Sequence, residues 1–286
     1  MTKHLLITGG AGYLGSYVVK ELLANKYVIS ILVRSTSSLS RLEFLKDRLN
    51  IVKVEDVNSL FEHNKIDGII HFATNYGRKE ESLSDILYSN LVFPIKLFEL
   101  ATRYKIEFFI NTDTSLPRDL NMYSLSKAQF KDWLISFPSE LKVINVIPEY
   151  FYGPNDDDTK FITGILKKLN KNDEFIDLTE GIQKRDFIYI DDVVSAYMSL
   201  IKSIDKLENY SDIPLGTSNT ISLRNLVELM KKKSMNTNTT LNFGKIPIRK
   251  GDVMESKADI SKLLSLGWKP TVSIEEGINK IINYLE

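Results

Sequence analysis

Apolar residues fall in short unbroken runs along the first half of the chain, with amphipathic stretches between them. His4–Thr8 is one such run, ending in glycines, and Tyr27–Val33, Ile51–Val54, Gly68–Phe72, Glu107–Asn111 and Lys142–Ile147 repeat it. A run of this length with no polar alternation predicts a strand buried on both faces. Tyr13–Ala24, Ser84–Tyr104 and Tyr123–Ser136 carry apolar positions at helical spacing instead. Strand and helix in alternation predict an α/β fold with a doubly wound parallel sheet. Such a sheet binds its ligands beyond the carboxyl ends of its strands.

The pattern loosens near residue 150, where Tyr152-Gly-Pro-Asn and Asp156–Asp158 form a turn-rich boundary. Beyond it the spacing predicts a helix over Phe161–Leu169 and strands over Glu174–Leu178 and Asp186–Ile190. Further helices are expected near Asp192–Ser203, Leu223–Lys233 and Ser273–Tyr284. The chain thus divides into a dinucleotide-binding domain, residues 1–150, and a smaller C-terminal α/β substrate lobe, 151–286. Return elements near 186–216, Asp186–Ile190 above all, are expected to cross back to the main sheet.

Composition narrows the classes. Apolar residues make up 43% and charged residues 26%, with 37 of each sign, so no net charge draws the molecule to nucleic acid or a membrane surface. Lys231-Lys232-Lys233 is read as the solvated end of a helix. With no cysteine, and with only His4, His63 and His71 at scattered positions, neither a disulfide framework nor a metal site is expected. No apolar run approaches the roughly 20 residues of a membrane span, and the start of the chain lacks signal-peptide architecture, so a cytoplasmic protein is expected.

The strongest local signal is Ile7-Thr8-Gly9-Gly10-Ala11-Gly12-Tyr13-Leu14-Gly15, which leaves the first strand and enters the first helix. That context marks a dinucleotide fingerprint. Gly9, Gly12 and Gly15 permit a tight turn and a close backbone approach, and the helix start at Tyr13 and Leu14 offers N–H groups to a pyrophosphate. The second strand ends Val33-Arg34-Ser35-Thr36, without the acid that would hold a ribose diol. Arg34 can pair with a 2′-phosphate and Ser35 can add a hydrogen bond, which favours NADP(H), with NAD(H) the alternative.

Tyr123-Ser-Leu-Ser-Lys127 opens a predicted helix, and residues four apart share a face. Phenol and ammonium can then point into one pocket, where the lysine is expected to lower the tyrosine pKa from about 10 towards the working range. With the glycine turn upstream, this chain resembles the extended short-chain dehydrogenase/reductase family of nucleotide-sugar epimerases, dehydratases and reductases. The resemblance runs from Thr8–Gly15 through Asp56-Val57, His71-Phe72-Ala73, Asn90, Thr112–Thr114 and Tyr123/Lys127 to Arg185–Asp192, Arg249–Asp252 and Leu266–Pro270.

What the resemblance implies is specific. Tyr123 exchanges a proton with the sugar, Lys127 holds the nicotinamide ribose, and Thr114, with Thr112 as second choice, hydrogen-bonds the reacting oxygen. Asp56 and Val57 frame the adenine, while Phe72, Ala73 and Asn90 line the cofactor. Thr74, Tyr76, Arg78 and Tyr150 contact substrate, and Arg185 and Arg249, with Asp252, clamp its diphosphate. His71 reads as a strand-end residue, Asn90 is open to a supporting role, and Asp191-Asp192 serves equally well as a helix cap. The family likeness also suggests a homodimer.

Three chemistries share this scaffold. A dehydratase of this type carries Asp-Glu after the threonine, whereas here Asp113 is followed by Thr114. The wording around Asn75–Arg78, Phe109–Pro117, Glu149–Gly153 and Gln183–Phe187 is similar to the CDP-abequose and CDP-paratose synthase type of nucleotide-sugar 4-reductase. The reading is therefore NADPH-dependent reduction of a 4-keto deoxysugar on a nucleoside diphosphate, serving O-antigen or capsule synthesis. An NAD-dependent epimerase and a non-catalytic dinucleotide sensor are the alternatives.

Overall fold

The computed structural model describes residues 2–78, 81–137 and 140–285. In chain order the first half runs β1 (His4–Thr8), α1 (Tyr13–Ala24), β2 (Val28–Val33), β3 (Asn50–Lys53), α2 (Val57–His63), β4 (Gly68–His71), α3 (Leu83–Leu87), α4 (Phe93–Arg103), β5 (Phe108–Thr112), α5 (Met122–Ser136) and β6 (Lys142–Pro148). The second half continues with β7 (Tyr150–Tyr152), α6 (Phe161–Asn170), β8 (Phe175–Leu178), β9 (Lys184–Tyr189), α7 (Ile190–Lys202), β10 (Tyr210–Leu215), β11 (Thr220–Ser222), α8 (Leu223–Lys233), β12 (Thr240–Phe243), β13 (Glu255–Ser256), α9 (Ser261–Ser265) and α10 (Ile274–Leu285). The helix predicted over 84–104 is interrupted by a π turn, Tyr88–Val92, between α3 and α4. Pro94, two residues beyond it, has no N–H to return to the carbonyl of Asn90.

Seven strands form the main sheet in the order β10-β6-β5-β4-β1-β2-β3. Strands β1 to β6 pair in parallel, as continuous apolar runs require. Leu5, Leu6, Ile7, Ile69, Ile70 and Phe108–Ile110 are wholly buried. One face of the core joins Phe109 to Phe130 of α5 and to Leu97 and Phe98 of α4. The strand order reverses between β1 and β4, the switch point at which such sheets open a crevice for ligands.

Two compact units emerge, Met1–Ile147 with Tyr197–Ile213, and Pro148–Ala196 with Pro214–Glu286. The return to the main sheet differs from expectation. Strand β9 does not join that sheet; it lies in a second one between β11 and β13, with β7 also paired to it. The reason is Asp186, fully buried, whose carboxylate accepts from the backbone N–H groups of Thr217, Ser218 and Ala258 and from the Thr217 hydroxyl. It ties β9 to the segments that flank β11 and β13. The strand that returns is β10, beside β6.

Candidate active site

Because β1 to β5 are parallel, the residues that follow them gather along one edge of the sheet. Gly9 to Gly12 follow β1, Arg34 and Ser35 follow β2, and Asp56 and Val57 lie past β3, where a 3-10 turn leads into α2. Phe72, Ala73 and Thr74 follow β4, and Asp113 and Thr114 follow β5. Tyr123 stands in the first turn of α5, which Asn121 and Ser124 start with a reciprocal capping box.

What a side chain would meet at each glycine of the turn separates the needs of the fold from the needs of a dinucleotide. Gly9 has φ +67°, and a Cβ there would lie 2.5 Å from the backbone nitrogen of Ala73. A Cβ on Gly15 would collide with the carbonyl oxygen of Gly9. The protein's own packing demands both. At Gly12 a Cβ would meet only the Gly9 carbonyl oxygen, at 3.1 Å. The fold alone does not exclude a side chain there, yet Gly12 is the N-cap of α1 and leaves that helix start bare. A bare helix start of three full turns suits a pyrophosphate.

Under the turn, Thr8 Oγ1 is 2.7 Å from His71 Nδ1 and accepts from the Ala73 N–H at 3.3 Å. His71 is buried among the rings of Phe93, Phe109 and Phe130. Burial, then the charge of Lys127, hold its pKa well below 6.5, so it is a neutral strand-end residue. Asn90 uses both faces of its amide on the neighbouring loop. Its oxygen accepts from Asn75 N and Thr74 Oγ1, and its nitrogen donates to Asn75 O and Ser126 Oγ. No amide capacity remains for a cofactor, so Asn90 positions the Thr74–Asn75 loop rather than lining the ligand.

Tyr123 and Thr114 come together: a side-chain hydrogen bond joins them. Thr112, the second choice, bonds the Tyr197 hydroxyl at 2.7 Å instead. The Tyr76 ring lies 4.8 Å from that of Tyr123, and the Arg78 guanidinium 4.9 Å from Tyr76. The expected lowering of the phenol pKa is corrected. Burial of a ring only 9% exposed, then Tyr76, push it well above its ordinary value, against the Thr114 bond; Asp113 adds to the rise and Arg78 opposes it. At neutral pH Tyr123 therefore keeps its proton. Lys127 is 2% exposed and makes no hydrogen bond among the described residues. An ammonium so placed wants ligand oxygens. A bare helix start at α1 and a buried ammonium at Lys127 together fit a dinucleotide.

At the far end of the crevice Arg34 and Ser35 are exposed. A turn closed by Ser37, which accepts from Arg34 N at 3.0 Å and donates its own N–H to Arg34 O, fixes the backbone there. The Arg34 guanidinium has no partner among the described residues. Asp56 is exposed, whereas Val57 lays its side chain against the core.

A buried polar row across β5, β6 and β10 escaped the sequence reading. Asn111 Nδ2 donates to Asn145 Oδ1 at 2.7 Å. Asn145 Nδ2 donates to Asp113 Oδ2 at 3.0 Å and to Asp212 Oδ1 at 2.8 Å. Lys131 of α5 pairs with Asp212 at 2.8 Å. The signal was available: an asparagine inside each of two otherwise apolar strands, and a second lysine four residues after Lys127.

In the second unit Arg185 is buried and already partnered. It donates to Tyr150 Oη at 3.1 Å, to Asp252 Oδ1 at 2.8 Å and to Lys184 O at 2.8 Å. Asp252 also accepts from Gln183 at 3.1 Å, so it balances and orients Arg185. Arg249 is exposed, on the turn that Asp252 N closes back to its carbonyl. Asp192 is no ligand contact: it accepts from Thr271 N, Thr271 Oγ1 and Val272 N.

A parallel sheet with a glycine turn at its switch point, and a tyrosine and lysine on the helix after β5, define an NAD(P)-dependent oxidoreductase of the extended short-chain type. The model described as the NAD dependent epimerase/dehydratase family matches residues 5–216, and the chain belongs to that family. The CDP-abequose synthase of Salmonella muenchen is 34% identical over all of this chain and 99% of its own length. That of Salmonella typhimurium is 30% identical over the same shares. The UDP-glucose 4-epimerase of Thermotoga maritima, solved with UDP-glucose, superposes with a TM-score of 0.85 at 24% identity, covering 99% of this chain and 98% of its own.

Proposed function

We propose that the chain reduces the 4-ketone of a deoxysugar carried on a nucleoside diphosphate, with NADPH as reductant, in the cytoplasmic synthesis of O-antigen or capsule sugars, and that it works as a homodimer. The observation that carries the reading is Tyr123, a buried phenol that holds its proton and is hydrogen-bonded to Thr114. Full-length identity of 34% to a CDP-abequose synthase supports the substrate class. Arg34 at the end of β2, in place of an acid, supports the phosphorylated cofactor.

When bound, the cofactor supplies hydride to the carbonyl carbon. Tyr123 delivers a proton to the carbonyl oxygen as it gains charge, and the Thr114 hydroxyl hydrogen-bonds the same oxygen. Lys127 holds the ribose. Arg185, kept in place by Asp252 and Tyr150, and Arg249 bind the diphosphate oxygens. Ketone, hydride and proton add up to the secondary alcohol.

The test is absorbance at 340 nm with a CDP-4-keto-3,6-dideoxyhexose. Stoichiometric loss of NADPH and a new alcohol are expected. Sugar isomerisation without NADPH loss would make the protein an epimerase. Tyr123→Phe should lower turnover on the order of 100-fold or more, and near-normal turnover would remove Tyr123 from the proton transfer.

A further inference from the structure

Residues Tyr123, Lys127 and Lys131 recur every four positions along α5, so they share one face of that helix. The face meets the sheet, because Lys131 pairs with Asp212 of β10 at 2.8 Å. Asn145 of β6, wholly buried, donates one N–H to Asp212 and the other to Asp113. Asn111 and Asn145 are register partners on adjacent parallel strands, and Asp113 lies two residues beyond Asn111, on the same side of the sheet. The two carboxylates are thus pinned by one amide; α5 brings Lys131 to Asp212, and Lys127 stands one turn earlier on the same helix face. His71, which is neutral and also feels Lys127, brings no negative charge, and neither does Tyr123.

We propose that Asp113 is the counter-ion of Lys127: a positioning residue, fixed by Asn145, that forms the upper rung of a ladder whose lower rung is Lys131–Asp212. Burial alone lowers the Lys127 pKa, and Asp113 opposes that loss of charge. A lysine that is 2% exposed and has no hydrogen-bonding protein partner needs a nearby anion to stay charged before any ligand arrives. The second carboxylate, Asp212, pairs with Lys131, one helical turn beyond Lys127 on α5. Asp113 therefore does something other than the sugar acid–base work that an Asp-Glu pair would imply. The effect on turnover rests on the reductase reading above, whereas the pairing rests on the chain alone.

Lysine labelled with ¹³C at Cε, assigned through Lys127→Arg, gives the titration of Lys127 directly. Asp113→Asn keeps an oxygen to accept from Asn145, so its thermal unfolding should match the wild type. The Lys127 midpoint is expected to fall by at least one pH unit, a tenfold weaker hold on the proton. Asp212→Asn should leave that midpoint where it was. An unmoved midpoint in Asp113→Asn, or an equal shift in Asp212→Asn, overturns the assignment. In NADPH turnover, Asp113→Asn should lower kcat with little change in the sugar KM, and adding it to Lys127→Met should cost nothing more. Multiplicative losses would mean that Asp113 does not act through the lysine. Loss of the reductase reading would leave the titration result standing.

Discussion

The phenol of Tyr123 and the imidazole of His71 lie at one sheet edge, and burial drives both towards their neutral forms. For the tyrosine that is the proton-donor form. For His71 it has a cost on acidification. Its folded pKa lies well below 6.5, so below that pH the unfolded chain binds a proton that the folded chain refuses. Stability should then fall as pH drops from 6.5, by up to about 1.4 kcal/mol per pH unit for this one group. His4 adds in the same direction, since its burial outweighs Asp67. Urea midpoints at pH 7.5 and 5.5 measure the slope; His71→Asn should flatten it, and an unchanged slope would discard this account. Arg34 is tested by preference. Arg34→Ala should raise the KM for NADPH at least tenfold and leave NADH nearly untouched, in keeping with a lost charge-assisted bond to phosphate. Equal losses for both cofactors would reject a 2′-phosphate role.

At the level of elements, β1, the glycine turn and α1 separate what folding needs from what binding needs. Gly9→Ala would force a Cβ against Ala73 at positive φ, and should lower the melting temperature by several degrees. Gly12→Ala meets only one oxygen at 3.1 Å; it should melt nearly as the wild type and bind dinucleotide at least tenfold more weakly. Dinucleotide fluorescence titration beside calorimetry distinguishes them, and equal thermal losses in both would refute the division. The strands that apolar runs predicted stand within about two residues of their observed ends, because burial leaves little choice of residue in β1, β2, β4, β5 and β6; β3, expected to be buried on both faces, is mostly exposed because it is the edge of the sheet. The π turn was not legible in periodicity, since Pro94 changes a hydrogen-bond ladder without disturbing the apolar face. Nor was the placement of β9, which a single buried carboxylate, Asp186, decides through partners some thirty and seventy residues away. Gly9 to Gly15, Tyr123 and Lys127 could be read from spacing. The sign of the phenol shift could not, because it depends on how deeply the ring is buried, and spacing carries no depth.

For the whole molecule, the open question is whether a chain of 32.7 kDa works alone. Tyr88 and Val92, four apart in the π turn, are 51% and 39% exposed. Met122 and Trp133, eleven residues and about three turns apart on α5, are 54% and 55% exposed. The π turn and α5 pack against each other, so these side chains belong to neighbouring elements of one unit. Large apolar side chains grouped in this way are characteristic of a surface that a partner covers, and a two-fold copy of the same surface is the simplest partner. Sedimentation equilibrium at micromolar concentration should give twice the chain mass. Trp133→Arg puts a charge into the middle of that contact and should shift the protein to the chain mass while near-native helix content is kept. A wild-type protein that sediments at 32.7 kDa would leave the exposed indole unexplained and remove the dimer from the reading. A dimer that survives Trp133→Arg would move the contact elsewhere on the first unit.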